Sequence, residues 1–471
     1  MSRRVVVATI ATSAVRAAAV ATVAFGAATS VSAAPHYSIV NVNEQVGREH
    51  RFTATGLNAS GQISGSAVYG SDPGGRLVVK PVVYDGSELR VVGLSDGRRG
   101  EARAINGAGH TTGMTEAANV SGHFAFLDDG HARILQAPNN VEAIGNAINA
   151  HDQIAGVYTG RWNDPGDLSG RANPRPFFYD GAFHDLGLAG GVDGEAVALN
   201  DAGVVVGSIA MGHAGIVAYH ALRYDGQPHD LGTLPGCSSS RATSINNHGT
   251  IVGTASLCEN RGTHAFVYDG AMREIPGLEN AVSTATAINS AGDIVGSVAA
   301  NRASRAILIQ GGTKTDLNAQ VPGLRDVVLF EAIAINDAGQ ILARGSGGDA
   351  YLLTPMPESE AAGLIQKNAD DAAAKQAAQL ASVDVWSGTQ AKITRDGDTT
   401  TLSYADAAKR PHSFVVVRSK MSPGMLGNGD AGGWIYVAPD RKSGVMFNVS
   451  ASGGVSGKPM NPLMMQMMVG P

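Results

Sequence analysis

Two acidic residues, Asp164 and Asp167, follow Arg161 and Trp162 in one polar stretch. Paired carboxylates are what glycoside cleavage requires, one as acid and the other as base or nucleophile. A tryptophan displayed beside them would stack on sugar faces or on a partner's side chains. The plainer reading is a solvated loop turned by Pro165-Gly166, with Trp162 packed beneath it. Arg161, Trp162, Asp164 and Asp167 are therefore candidates for ligand binding, and no residue is assigned a catalytic role.

His123, His220 and His264 recur at what reads as one position of a repeated unit. Equivalent residues of a radial array stand on different units and cannot converge on one metal, so a repeated structural hydrogen bond is expected. His-Glu-x-x-His and Gly-x-x-x-x-Gly-Lys are both missing from the sequence, so neither a metal nor any other cofactor is expected. The two cysteines, Cys237 and Cys258, flank one hairpin symmetrically. Two isolated thiols make a poor metal site, and a disulfide in an oxidising compartment is the natural expectation. A one-residue bulge at the turn would set them diagonal rather than opposed.

The elements that carry these residues repeat. A strand–turn–strand motif, cleanest at Ala285-Thr286-Ala287-Ile288-Asn289, occurs seven times with Asn58, Asn106, Asn149, Asn200, Asn246, Asn289 and Asn336 in the turn. Successive asparagines are 43 to 51 residues apart, the period of propeller blades. Each unit alternates with period two and reads as four strands. The first is built from small residues, and Asn-x-x-Gly turns follow it in six copies. The third carries bulky residues such as Phe177, Phe178 and Phe266, and Asp-Gly closes it onto a short fourth. Small side chains suit a crowded axis and large ones the diverging wedge between blades. The expected fold is all-β: a seven-bladed β-propeller over 35–356, with 357–383 helical, 384–452 a small β unit of four or five strands, and 453–471 a flexible Met-rich tail.

The motif Ala-x-Ala-Ile-Asn-x-x-Gly-x-Ile-x-Gly, followed by His264-Ala265-Phe266 and by Asp-Leu-Gly as in Asp185-Leu186-Gly187, resembles the HAF family of extracellular repeats. The likeness runs from about Tyr37 to Pro355 and implies secretion and a repeat architecture, with no activity to carry over.

Residues 1–34 read as a signal peptide: Arg3 and Arg4, an apolar run, then Val31-Ser32-Ala33. The seventh unit lacks a fourth strand, while Tyr37–Val42 is a spare one, so the N-terminal strand is expected to close the ring. Antiparallel strand order puts the Asn-x-x-Gly and Asp-Gly turns on one face and the long variable connections on the other, including 65–80 and 156–175. Scaffold-borne loops are where binding chemistry usually sits. A net charge of −6 with no basic block argues against nucleic acid. The reading is a secreted or periplasmic binding module for a protein or glycan partner, without a transmembrane segment after cleavage. The alternative is a carbohydrate-active hydrolase or lyase with its site at the channel mouth.

Overall fold

The computed structural model describes residues 35–94, 99–117, 120–159, 173–213, 216–259, 262–279, 281–300, 303–381, 386–397, 399–406, 411–418, 432–437, 444–450, 452 and 454–460. The expected signal peptide and the 160–172 stretch lie outside them. The architecture is all-β, with seven four-stranded antiparallel sheets, a further seven-stranded sheet and few helices. No helix among the described residues is long and apolar enough to cross a membrane.

The first strands of the seven repeats, each at one edge of its sheet, are Thr53–Leu57, Gly100–Ile105, Glu142–Ile148, Asp193–Leu199, Cys237–Ile245, Ser283–Ile288 and Leu329–Ile335. Their small residues have a steric cause. Across the fifth sheet, a Cβ added at Gly253 would lie 2.1 Å from the Arg241 carbonyl oxygen and 2.6 Å from the Phe266 ring, so only glycine lets the two strands meet over that ring. Phe266 is fully buried with Val206 and Ala221 of the fourth sheet, and Phe177 fills an equivalent wedge. Burying such a ring contributes roughly 3 kcal/mol.

Every repeat turn works alike. In the fifth, Asn246 Oδ1 accepts the backbone N–H groups of His248 (3.1 Å) and Thr250 (3.0 Å), which closes the turn on itself. Six turns then use a glycine at positive φ, such as Gly249 at 83°; the third has Asp152 there at 60°, a conformation that aspartate tolerates. The amide group of each asparagine does more than cap its turn. Each Nδ2 donates to the backbone carbonyl of the next repeat's asparagine at 2.9 to 3.4 Å, and Asn336 donates to Asn58, so the series returns to its start.

The spare N-terminal strand is used. His36–Asn41 pairs antiparallel with Ala350–Met356, outermost in the sheet that also contains Ile341–Gly345 and Leu329–Ile335. Asn41 Oδ1 then caps a short helix, Val42–Val46, by accepting from Glu44 N–H. Asn43 is buried: it donates to Phe52 O and accepts from Ala350 N–H, both at 2.8 Å. This amide joins first and last sheets.

Several expectations need correction. Residues 65–80 are mostly strand, Ile63–Ser71 and Leu77–Tyr84, turned at Asp72, whose Oδ1 accepts from Gly74 and Arg76 N–H. The C-terminal unit has seven strand segments rather than four or five. Val455–Met460 pairs with both Trp386–Asp396 and Gly444–Val449, so the expected tail begins as a strand. Pro411–Val415 and Val417–Arg418, at the two edges of this sheet, are consecutive parts of one segment. Leu402, Tyr404, Val416, Trp434, Val445 and Phe447 form its core. Helix Glu358–Ala381 precedes this unit and begins with Glu358 and Glu360, whose charges suit a helix N-terminus.

Candidate functional site

Arg161, Trp162, Asp164 and Asp167 lie outside the described residues. The stem of their connection is described: Thr159 pairs with Pro174. Below that pair, Arg175 Nη2 meets Asp185 Oδ2 at 2.8 Å and Tyr158 OH donates to the same oxygen at 2.9 Å. Burial first, and then Asp185, hold the Tyr158 hydroxyl well above the usual tyrosine pKa.

The same end of the molecule carries side chains that the sequence reading passed over. Five residues before the turn asparagine, on the first strand of the repeat, stand Glu101, Glu195, Arg241 and Glu331, against Thr53, Ile144 and Thr284 in the other repeats. All three glutamates meet an arginine. Arg103 Nε lies 3.4 Å from Glu101, Arg241 Nη1 3.2 Å from Glu195, and Arg344 Nη1 3.1 Å from Glu331.

The densest group sits between the fourth and fifth sheets. Arg241 reaches across from the fifth, donating from Nη1 to Glu195 Oε1 and to Ser208 Oγ (3.1 Å). Its guanidinium carbon lies 3.4 Å from the centre of the Tyr219 ring. Asp193 is on the same strand face as Glu195, two residues away. Burial raises the Asp193 carboxyl above its ordinary value, and the Arg241 charge partly offsets the rise. Both Arg241 and Glu195 remain about two-fifths exposed, at 43% and 42% of their side chains. An exposed ion pair of this kind contributes about 0–1 kcal/mol, too little to make stability its main purpose. Among the described residues, the Nε and Nη2 donors of Arg241 meet no acceptor.

Cys237 and Cys258 are joined in a disulfide four residues from Arg241 on the same strand. They are directly opposed, not diagonal, because a second irregularity between Ala242 and Ser244 cancels the shift made at the turn. The bridge closes the open end of the hairpin that presents Arg241. Beside it, Leu257 holds φ = 54°, in the left-handed region, and is 60% exposed.

The histidines separate on inspection of register. His220 Nδ1 meets Asp230 Oδ2 at 2.8 Å, a bond within its own sheet, whereas His264 is buried with Glu274 3.6 Å away. His123 is not their equivalent. The register sets Phe124 where His220 and His264 stand, so His123 is one residue earlier and on the opposite sheet face. Among the described residues, no three His, Cys, Asp or Glu side chains come together as a metal-binding group.

Comparison with known proteins adds little chemistry. A family model described as a protein of unknown function, DUF3466, matches residues 188–349, which include the Arg241 group. No curated protein matches the chain. Among solved structures, the β-propeller domain of a trilobed protease from Pyrococcus furiosus is similar at 7% identity and TM-score 0.45, covering 64% of this chain and 92% of its own. An inactive virginiamycin B lyase from Staphylococcus aureus matches at 10% identity and TM-score 0.38 over 68% of this chain and 99% of its own. A Trypanosoma rangeli sialidase matches at 11% identity and TM-score 0.32 over 85% and 74%.

Proposed function

We propose that the seven four-stranded sheets are the blades of one closed propeller of HAF-type repeats, exported from the cytoplasm, which binds a protein or glycan partner through its variable face. The returning series of asparagine bonds supports the closed ring. The disulfide supports an oxidising compartment. The binding reading rests on the Arg241 group. There a guanidinium is held over the Tyr219 ring by Glu195 and Ser208, while its Nε and Nη2 donors meet no acceptor among the described residues. A side chain immobilised beforehand loses less entropy on association, so each new hydrogen bond contributes more to affinity.

A screen of the exported chain against glycan and extracytoplasmic protein arrays tests this reading. A partner should emerge whose affinity falls about tenfold or more in Arg241→Gln, the loss of one charge-assisted contact. Binding that ignores Arg241→Gln would refute the assignment. One observation favours the hydrolase or lyase reading as second: Asp193, kept protonated to higher pH by burial, stands two residues from Glu195. Turnover of a glycan hit that vanishes in Asp193→Asn with binding intact would decide for it.

A further inference from the structure

A second group at the same end of the fold lies between the first and second sheets. Gly100 pairs with Thr115, and Glu116 N–H donates to Arg99 O at 2.8 Å, which sets Arg99 beside Glu116. Glu116 in turn is paired with His123 on the third strand. Directly opposed residues of an antiparallel sheet point to one side, with Cβ atoms about 5 Å apart. Arg99, Glu116 and His123 therefore form a row of guanidinium, carboxylate and imidazole. All three line a cleft of about 240 Å³, with Ser66 and Val79 of the first sheet, Met114, and Glu101, whose carboxylate is already held by Arg103, around them.

None of the three has a side-chain hydrogen-bond or ion-pair partner among the described residues. That is unusual for an arginine and a glutamate set side by side, because such neighbours ordinarily satisfy each other. His123 stands in the row because it is one residue before the position that His264 occupies, which puts its imidazole on the opposite face of the sheet. The cleft thus offers a strong donor fork and an unpaired anionic acceptor in Glu116, with the Arg103-paired carboxylate of Glu101, an apolar thioether and a valine beside them. Its volume suits a small ligand; drug-sized pockets begin at about 300 Å³.

We propose that this cleft binds a small zwitterion of the amino-acid class, its carboxylate on Arg99, its ammonium on Glu116 and His123, and its side chain against Met114 and Val79. A fork of N–H donors matches a carboxylate, and an acceptor-only carboxylate matches an ammonium. A neutral sugar would leave both charges uncompensated.

Calorimetric titration of the full exported chain with L-leucine, N-acetyl-L-leucine, L-leucinamide and glucose tests the proposal. Leucine should bind at millimolar concentration or better, and blocking either end should weaken it about tenfold or more, the value of one lost charge-assisted contact. Arg99→Gln should make leucine and leucinamide equivalent, and Glu116→Gln should do the same for leucine and N-acetyl-leucine. Both side chains line an open cleft, so the melting temperature should not move, and Arg241→Gln should leave leucine binding intact. Absence of heat with leucine, preference for glucose, or variants that discriminate as the parent does would each overturn it.

Discussion

Replacing Tyr37 by alanine tests how the two ends of the repeat array are held together. Tyr37 is 1% exposed and packs in one cluster with Leu317, Leu329, Tyr351 and Leu353, while its N–H donates to Gln320 O at 2.9 Å. Its strand neighbour Val40 is 41% exposed. A buried aromatic ring removes about 150–250 Å² from water, which at about 25 cal/mol per Å² is worth about 4–6 kcal/mol. Truncations of buried aromatics cost about 3–5 kcal/mol, so about 4 kcal/mol is expected. For a module above about 150 residues each kcal/mol lowers the melting temperature by about 2 °C, which gives a drop of about 8 °C. Val40→Ala should stay within about 0.5 kcal/mol of the parent. Thermal melting followed by circular dichroism reads both variants, and light scattering reads the association that an uncovered Ala350–Met356 edge would promote. A Tyr37→Ala chain that melts with the parent and stays monodisperse would refute the pairing as a stabilising contact.

Serine in place of both Cys237 and Cys258 should cost about 3 kcal/mol, read from the urea midpoint, and reductant should shift the parent to the same value. Burial raises the Tyr37 and Tyr158 hydroxyls above the ordinary 10.0. Their contribution is therefore fully present below about pH 10 and is lost as pH rises beyond it, so melting temperature should fall above that value, less steeply in Tyr158→Phe. A melting temperature unchanged by alkali would contradict the burial of these rings. Once a partner is in hand, Trp162→Ala should weaken it. Asp337→Ala should not, because Asp337 only ties its turn to Ser290 N–H and Oγ in the next turn; the opposite result would move the working surface to the other face.

Strands and turns were legible because each rests on a local rule repeated seven times. Asparagine at the turn, glycine three places on and small residues before it act within a few residues of one another. What crosses between units was not. The Asn246 side chain reads as a turn cap, and its Nδ2 bond to Asn289 O spans 43 residues. The opposed cysteines depend on a bulge at Thr243 that leaves no mark in spacing alone. Misassigning His123 came from matching letters instead of register: His123-Phe124-Ala125 looks like a drifted motif, yet Phe124-Ala125-Phe126 is the true equivalent. The glutamates were within reach, since a position charged in four of seven repeats beside a strand of alanines is a signal that no packing rule requires.

Where a repeat departs from its siblings is where the scaffold has no use for the departure. At the bulge, three residues before each turn asparagine, Thr55, Thr243 and Thr286 donate to the carbonyls of Ala102, Ala285 and Ala332 in the next sheet at 2.6 to 2.8 Å, and Asn146 Nδ2 does the same to Ala196 O. The seventh sheet has Ile333 at that position and the fourth has Val197, neither of which can donate. The junction of the fourth with the fifth is crossed instead two residues nearer the variable face, by Glu195 and Arg241. An inner hydroxyl bond stitches two units and is hidden by doing so. The outer pair spans the same junction but leaves half a guanidinium facing solvent beside an aromatic ring and a second carboxylate, with a disulfide behind it. A substitution selected for holding the two sheets together would have restored the threonine. Moving the polar link outward contributes little to stability and sets fixed charge where a ligand can reach it, which is the physical reason for assigning recognition to this junction and not to the seven turns opposite.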